Sequence, residues 1–194
     1  MVASSTALRA AVAVGLAAGA LSALGKAHLG AGTLAELANS LSTWLVAPFL
    51  VGALTGSRRS AAFAGFTTSA MQLAGFYVVA HLQGIGTTGA LVAFWTASAV
   101  AGGPIFGVAG QLWRTTARGP GMAVLAGVFI AEGLYAYLHQ RQQYVTGVVW
   151  IAIGLTLALG SSRGRIEQWR WLGLAVPLGV AGEVFVTTVL NRLS

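Results

Sequence analysis

Seven long apolar stretches follow one another along this chain, and nothing else in it constrains the fold as strongly. They are Thr6–Leu24, Leu37–Leu54, Ala61–Leu82, Gly89–Trp113, Pro120–His139, Tyr144–Leu159 and Trp171–Leu193. A helix needs about 20 mostly apolar residues to cross a bilayer, and in lipid a helix satisfies its own backbone polar groups. The chain therefore reads as all-α, an integral membrane bundle of about seven transmembrane helices, the sixth being the shortest. The joining segments are short and carry no Pro/Ser-rich linker, so residues 1–194 read as a single transmembrane helical domain.

Composition supports this reading where it matters. Only 8% of the residues are charged, against roughly 25% in soluble domains. The 27 glycines suit close helix–helix approach, which in lipid depends on small residues. The net charge of +7 would suggest nucleic acid in a soluble protein. Here the arginines sit in short loops between apolar segments, so the positive-inside rule accounts for them and nucleic acid is excluded as a partner. With no cysteine, disulfides, thiol catalysis and thiolate metal sites are excluded together.

Counting basic residues orients the bundle. With the N-terminus cytoplasmic, the inner side holds Arg9, Arg58, Arg59, Arg114, Arg118, Arg163, Arg165 and Arg170, while the outer side holds Lys26, Arg141 and Arg192. This bias alternates properly through seven crossings and places the N-terminus inside, the C-terminus outside, in the plasma membrane. The alternative of a cleaved signal peptide, with Arg9 ahead of an apolar run, breaks that alternation.

Two glutamates, Glu132 and Glu183, fall within the apolar stretches of a chain that has only four acidic residues. A carboxylate at that depth is costly unless protonated or paired, and such residues face the bundle interior. At 1.5 Å rise per residue, Glu132, Glu183, Gln72, Trp44, Trp95 and Trp150 all lie about 9–13 Å below the outer ends of their helices. Helical spacing groups Glu132, Tyr135 and His139 at i, i+3 and i+7, and Glu183, Thr187 and Asn191 at i, i+4 and i+8. Gln72, Phe76, Val79 and Gln83 make a third stripe. Above them lie Lys26, His28, Glu36 and Asn39 at the first outer loop, and His81 and His139 at the other two outer ends.

This points to an outward-facing pocket for a small solute, with Glu132, Glu183, Gln72, Trp44, Trp95, Tyr135, Asn39 and His139 as candidate ligand-binding residues. Aromatic faces beside a carboxylate attract organic cations, and deep carboxylates suit proton-coupled solute movement. Each feature has a plainer reading: tryptophans as an interfacial belt, Glu132 as an interhelical hydrogen bond, Lys26 and His28 as snorkelling side chains. The histidines lack metal-ligand spacing, so no metal is expected, nor any cofactor. No nucleophile, HExxH or nucleotide-loop motif marks an enzyme. Two alternatives stay open: a membrane enzyme using Glu132 and His139 on a lipid-type substrate, and a structural or accessory subunit. Pro48, Pro177 and Gly102-Gly103-Pro104 interrupt spans, as packing kinks or as broken helices at a binding site. Small residues at Ala7–Ala11 and Gly15–Gly19 suit a partner helix, from a partner subunit or a second copy.

Leu37-Ala38-Asn39-Ser40 followed by Trp44, the Phe94-Trp95 pair with its later Gly-Pro, and Ala131-Glu132-Gly133-Leu134-Tyr135 resemble a family of small bacterial polytopic membrane proteins known only as a domain of unknown function. The resemblance runs from the first helix to about the sixth. It implies the fold and the membrane location, brings no activity, and points to Asn39, Trp44, Trp95, Glu132 and Tyr135. In size and Ala/Gly content the chain is also similar to the substrate-binding components of energy-coupling-factor transporters, which bind their ligand near the outer side. It departs from them in its seven spans and outer C-terminus.

Overall fold

The computed structural model describes residues 5–30, 32–115, 120–160 and 165–193, and among them there is no strand. The helices are α1 (Ser5–His28), α2 (Thr33–Asn39), α3 (Leu41–Ala53), α4 (Arg58–Leu82), α5 (Gly89–Thr115), α6 (Pro120–Glu132) running into a π-helical segment (Gly133–Gln140), α7 (Tyr144–Gly160) and α8 (Arg165–Leu193). Every apolar stretch of the sequence falls on helices, one stretch being divided between two. Five helices, Ser5–His28, Arg58–Leu82, Gly89–Thr115, Pro120–Gln140 and Glu167–Arg192, are long and apolar enough to cross a membrane. The α2/α3 pair makes a sixth when taken as one broken span, and α7 is a shorter apolar helix. This is a helical membrane protein. Arg118 and Arg163, two of the basic residues used to orient it, lie outside the described residues.

The chain forms two compact units, Met1–Leu112 and Trp113–Ser194. In the first, α1 and α4 lie back to back. Gly15, Gly19 and Gly75 let them touch: a Cβ on Gly15 would come 2.5 Å from the Thr68 carbonyl oxygen, and one on Gly19 would collide with the carbonyl of Gln72. The Ala7–Ala11–Gly15–Gly19 stripe is buried along α1. Its partner helix is thus found within the chain: Gly15 and Gly19 face α4. Helices α3, α4 and α5 meet through Gly52, Gly65, Gly103, Gly107 and Gly110 in the same way. In the second unit α6 is the central helix, packed on α7 and α8, with Gly154 against Ala126 and Ile130 and Gly127 against Ala175. Large apolar side chains such as Leu21, Leu82, Val145, Leu178 and Phe185 stay exposed. That suits a surface facing lipid, where burying apolar area between helices gains nothing over the lipid tails.

Two elements differ from the sequence reading. The stretch Leu37–Leu54 is broken: Ser40 is extended (φ −73°, ψ 150°), and its side chain accepts the Thr43 amide to start a new helix. The two pieces meet at a 48° bend. Lys26 and His28, expected in the first outer loop, form the last turn of α1, and Glu36 lies within α2.

The second difference is the π segment. Its bonds skip five residues, as in Arg141 N–H to the Ala136 carbonyl at 3.1 Å, so each turn is wider than an α turn. The positions above Glu132 become i+4, i+5 and i+9 in place of i+3 and i+7. Ala136 and Tyr137 are accordingly buried, Tyr135 is half-buried and His139 exposed. The Glu132–Tyr135–His139 stripe assumed α spacing, and the wider turn dissolves it.

Candidate functional site

In the first unit the break between α2 and α3 lies beside a cavity of about 330 Å³. Its wall includes Lys26, Glu36, Asn39, Trp44, Gln72 and Trp95, with Phe76 and Tyr77 completing an aromatic side. Four of the sequence candidates, Asn39, Trp44, Gln72 and Trp95, therefore share one cavity.

Proline explains how Gln72 comes to hold this wall. In a regular helix the Trp44 carbonyl would accept the amide N–H of residue 48. Residue 48 is proline and has none, so the carbonyl is left bare in an environment without water to satisfy it. Gln72 Nε2, from α4, donates to that carbonyl at 3.1 Å. The glutamine is 2% exposed, and its other atom, Oε1, is buried with no partner. A buried acceptor left unmade costs about 1–3 kcal/mol.

Trp44 is fixed from two further sides. Its indole N–H donates to Ser22 Oγ at 3.0 Å, the Ser22 hydroxyl donates to Asn39 Oδ1 at 3.3 Å, and the Asn39 amide donates to the Ala35 carbonyl at 3.0 Å. This chain ties α1, α2 and α3 around the helix break. Trp44 also meets Phe76 edge-on at 5.6 Å between ring centroids, and Phe76 meets Tyr77 at 5.4 Å. The Lys26 ammonium lies 6.0 Å from the Phe76 centroid, within cation–π range. Nothing in the sequence flagged Ser22 or Tyr77. Pro48 was a usable signal for Gln72, since it names the carbonyl that needs a donor.

The second unit holds the buried carboxyls. Glu132 closes α6 and is 4% exposed; Glu183, on α8, is 5% exposed. Trp150, fully buried on α7, donates its indole N–H to Glu132 Oε2 at 3.3 Å. Its ring lies 4.9 Å from that of Tyr137, over which the Arg141 guanidinium stacks at 5.2 Å. Glu183 Oε1 is buried and unpartnered. Tyr135 and His139 pair with one another, ring centroids 5.6 Å apart, and the Tyr135 hydroxyl accepts from Gln140 Nε2 at 2.8 Å. Tyr137 and Arg141, rather than these two, are stacked beside the tryptophan that holds Glu132. Among the described residues no group of three or more His, Cys, Asp or Glu could hold a metal ion.

The chain belongs to a family of unknown function, DUF6518, whose model matches residues 2–192. No curated protein and no solved structure matches it.

Proposed function

We propose that this member of a family without assigned activity is a plasma-membrane protein that binds a small solute in the cavity of its first unit. The buried, unpartnered Oε1 of Gln72, on a wall it shares with Trp44, Phe76, Tyr77 and Trp95, carries this reading. Specific ligand pockets combine mostly apolar walls with a few placed polar groups, and begin at about 300 Å³. The charge bias of the loops supports an N-terminus inside and a cavity opening outward.

The wall chemistry narrows the ligand. Trp44, Phe76, Tyr77 and Trp95 offer faces to a flat apolar body, and Gln72 Oε1 offers an acceptor to a hydrogen-bond donor. Lys26 already lies over Phe76, and Glu36 on the same wall balances its charge. A neutral or zwitterionic solute fits this wall better than the organic cation that the sequence suggested. A broken helix at the site, here at Ser40, is also how many transporters build a binding site from backbone.

The test is a thermal-shift and tryptophan-fluorescence screen of the purified protein against a panel of neutral, zwitterionic and cationic metabolites. A neutral or zwitterionic compound should stabilise the wild type. Trp95→Ala removes one wall, and should weaken the binding at least about tenfold while the protein stays folded. If no neutral or zwitterionic compound binds, or Trp95→Ala binds as tightly as wild type, the cavity is not the site.

A further inference from the structure

Helix α2 contributes Ala35, Glu36 and Asn39 to the cavity wall, yet none of its seven residues is buried. The helices around it are anchored differently: α1, α3, α4 and α5 each bury residues along one face. A segment with few buried contacts opens locally at low free energy.

Both ends of α2 are built to turn. Ahead of it, Gly30 and Gly32 have φ of 64° and 135°, and a Cβ at either would meet nothing within 4 Å. Glycine takes positive φ as readily as negative, so the chain can change direction there without steric cost. Behind α2, Ser40 is 3% exposed and extended, and its hydroxyl holds the Thr43 amide at 3.2 Å. This pins the start of α3, which α2 meets at a 48° bend. Hinges are such element-terminal residues, which absorb the change in φ and ψ while the helices beside them stay rigid. The clasp between α1 and the last residue of α2 is loose. Ser22 Oγ donates to Asn39 Oδ1 at 3.3 Å, where an O–H···O bond is ordinarily about 2.5–3.0 Å. Beside it Ala38 rests on Gly25, which has no side chain to hold it.

We propose that α2 is the lid of the cavity. It swings about Ser40, with Gly30 and Gly32 taking up the turn, and Asn39 is the positioning residue that clasps it shut on Ser22. Opening withdraws Ala35, Glu36 and Asn39 from the wall and admits a small molecule. Ser22 also accepts the Trp44 indole N–H at 3.0 Å, so the clasp and the aromatic wall share one hydroxyl. In serving a binding site, the lid rests on the solute-binding function proposed for the cavity; its opening is measured without a solute.

The chain has no cysteine, so a single introduced thiol reports entry. Ser69→Cys places one on the cavity wall at a position 7% exposed, and its rate of modification by a small methanethiosulfonate is followed in lipid nanodiscs. Ala99→Cys, on the same wall, replaces it should that variant not fold. Ser22→Ala and Asn39→Ala, each added to the thiol protein, remove the clasp from either side. Losing an average hydrogen bond between membrane helices raises an opening population about threefold, so each should speed the modification about threefold or more. A thiol at Gly86→Cys, where the space is open, should react at the same rate in every background. Rates at the cavity thiol left unchanged by either clasp variant, or an equal acceleration at position 86, overturn the lid. If the clasp variants open the cavity and no solute is found to bind, the lid stands and the solute-binding function falls.

Discussion

Replacing Gln72 by Leu and Pro48 by Ala, singly and together, isolates the bond that holds the cavity wall. Gln72 Nε2 donates to the Trp44 carbonyl because Pro48 supplies no N–H to it. Gln72→Leu deletes that donor. Hydrogen bonds between membrane helices are worth about 0.6 kcal/mol on average and at most about 1.7, and a carbonyl left bare adds to the loss. The same substitution removes the buried Oε1 that has no partner, which returns part of the cost. The single variant should therefore lose only about 1 kcal/mol. The coupling is more informative. Alanine at position 48 returns a backbone N–H to the Trp44 carbonyl, so Gln72→Leu should then cost about 0.6–1.7 kcal/mol less. The change in kink that Pro48→Ala brings is common to both members of its pair and cancels in the cycle. Equilibrium unfolding of all four proteins by denaturing-detergent titration measures it. A coupling below about 0.3 kcal/mol, the scatter of independent sites, refutes the exchange of one donor for the other.

Three further outcomes follow from the packing. Gly19→Ala drives a methyl into the Gln72 carbonyl; since backbone cannot swing aside, it should destabilise by at least about 1–3 kcal/mol, whereas Gly86→Ala, with open space around it, should be near neutral in the same thermal assay. Trp150→Phe keeps a ring but deletes the donor to Glu132, and a melting-point drop matching about 1–3 kcal/mol is expected. The exposed Trp113→Phe should stay within about 0.5 kcal/mol, and equal effects from the two would show that the indole N–H contributes nothing. Ser40→Ala removes the cap that restarts the helix and should cost about 0.5–2 kcal/mol; a cost near zero in an unfolding titration would mean the break is set by packing alone.

Sequence by itself determined that this is an all-α membrane protein, where its helices run, and which polar side chains stand deep within them. Those properties depend on runs of apolar residues and on the cost of a bare backbone in lipid, both of which are local. It also picked out four residues that meet in the structure. Asn39, Trp44, Gln72 and Trp95 do line one cavity, because depth along a helix can be counted from its end. Which deep residues belong together could not be counted. Glycine contacts such as Gly19 on Gln72 and Gly107 on Gly65 choose the neighbours of each helix, and these are meetings of residues far apart in the chain. Only the tertiary structure assigns Gln72 to the carbonyl that Pro48 strips of its donor. Only there does the wider turn after Glu132 set Tyr137 and Arg141, in place of Tyr135 and His139, beside the tryptophan that holds it. A helical period of 3.6 residues carries that prediction wherever the helix is α. The π-helical segment Gly133–Gln140, whose first residue packs closely on Gly147 and Trp150, shifts the faces that follow Glu132.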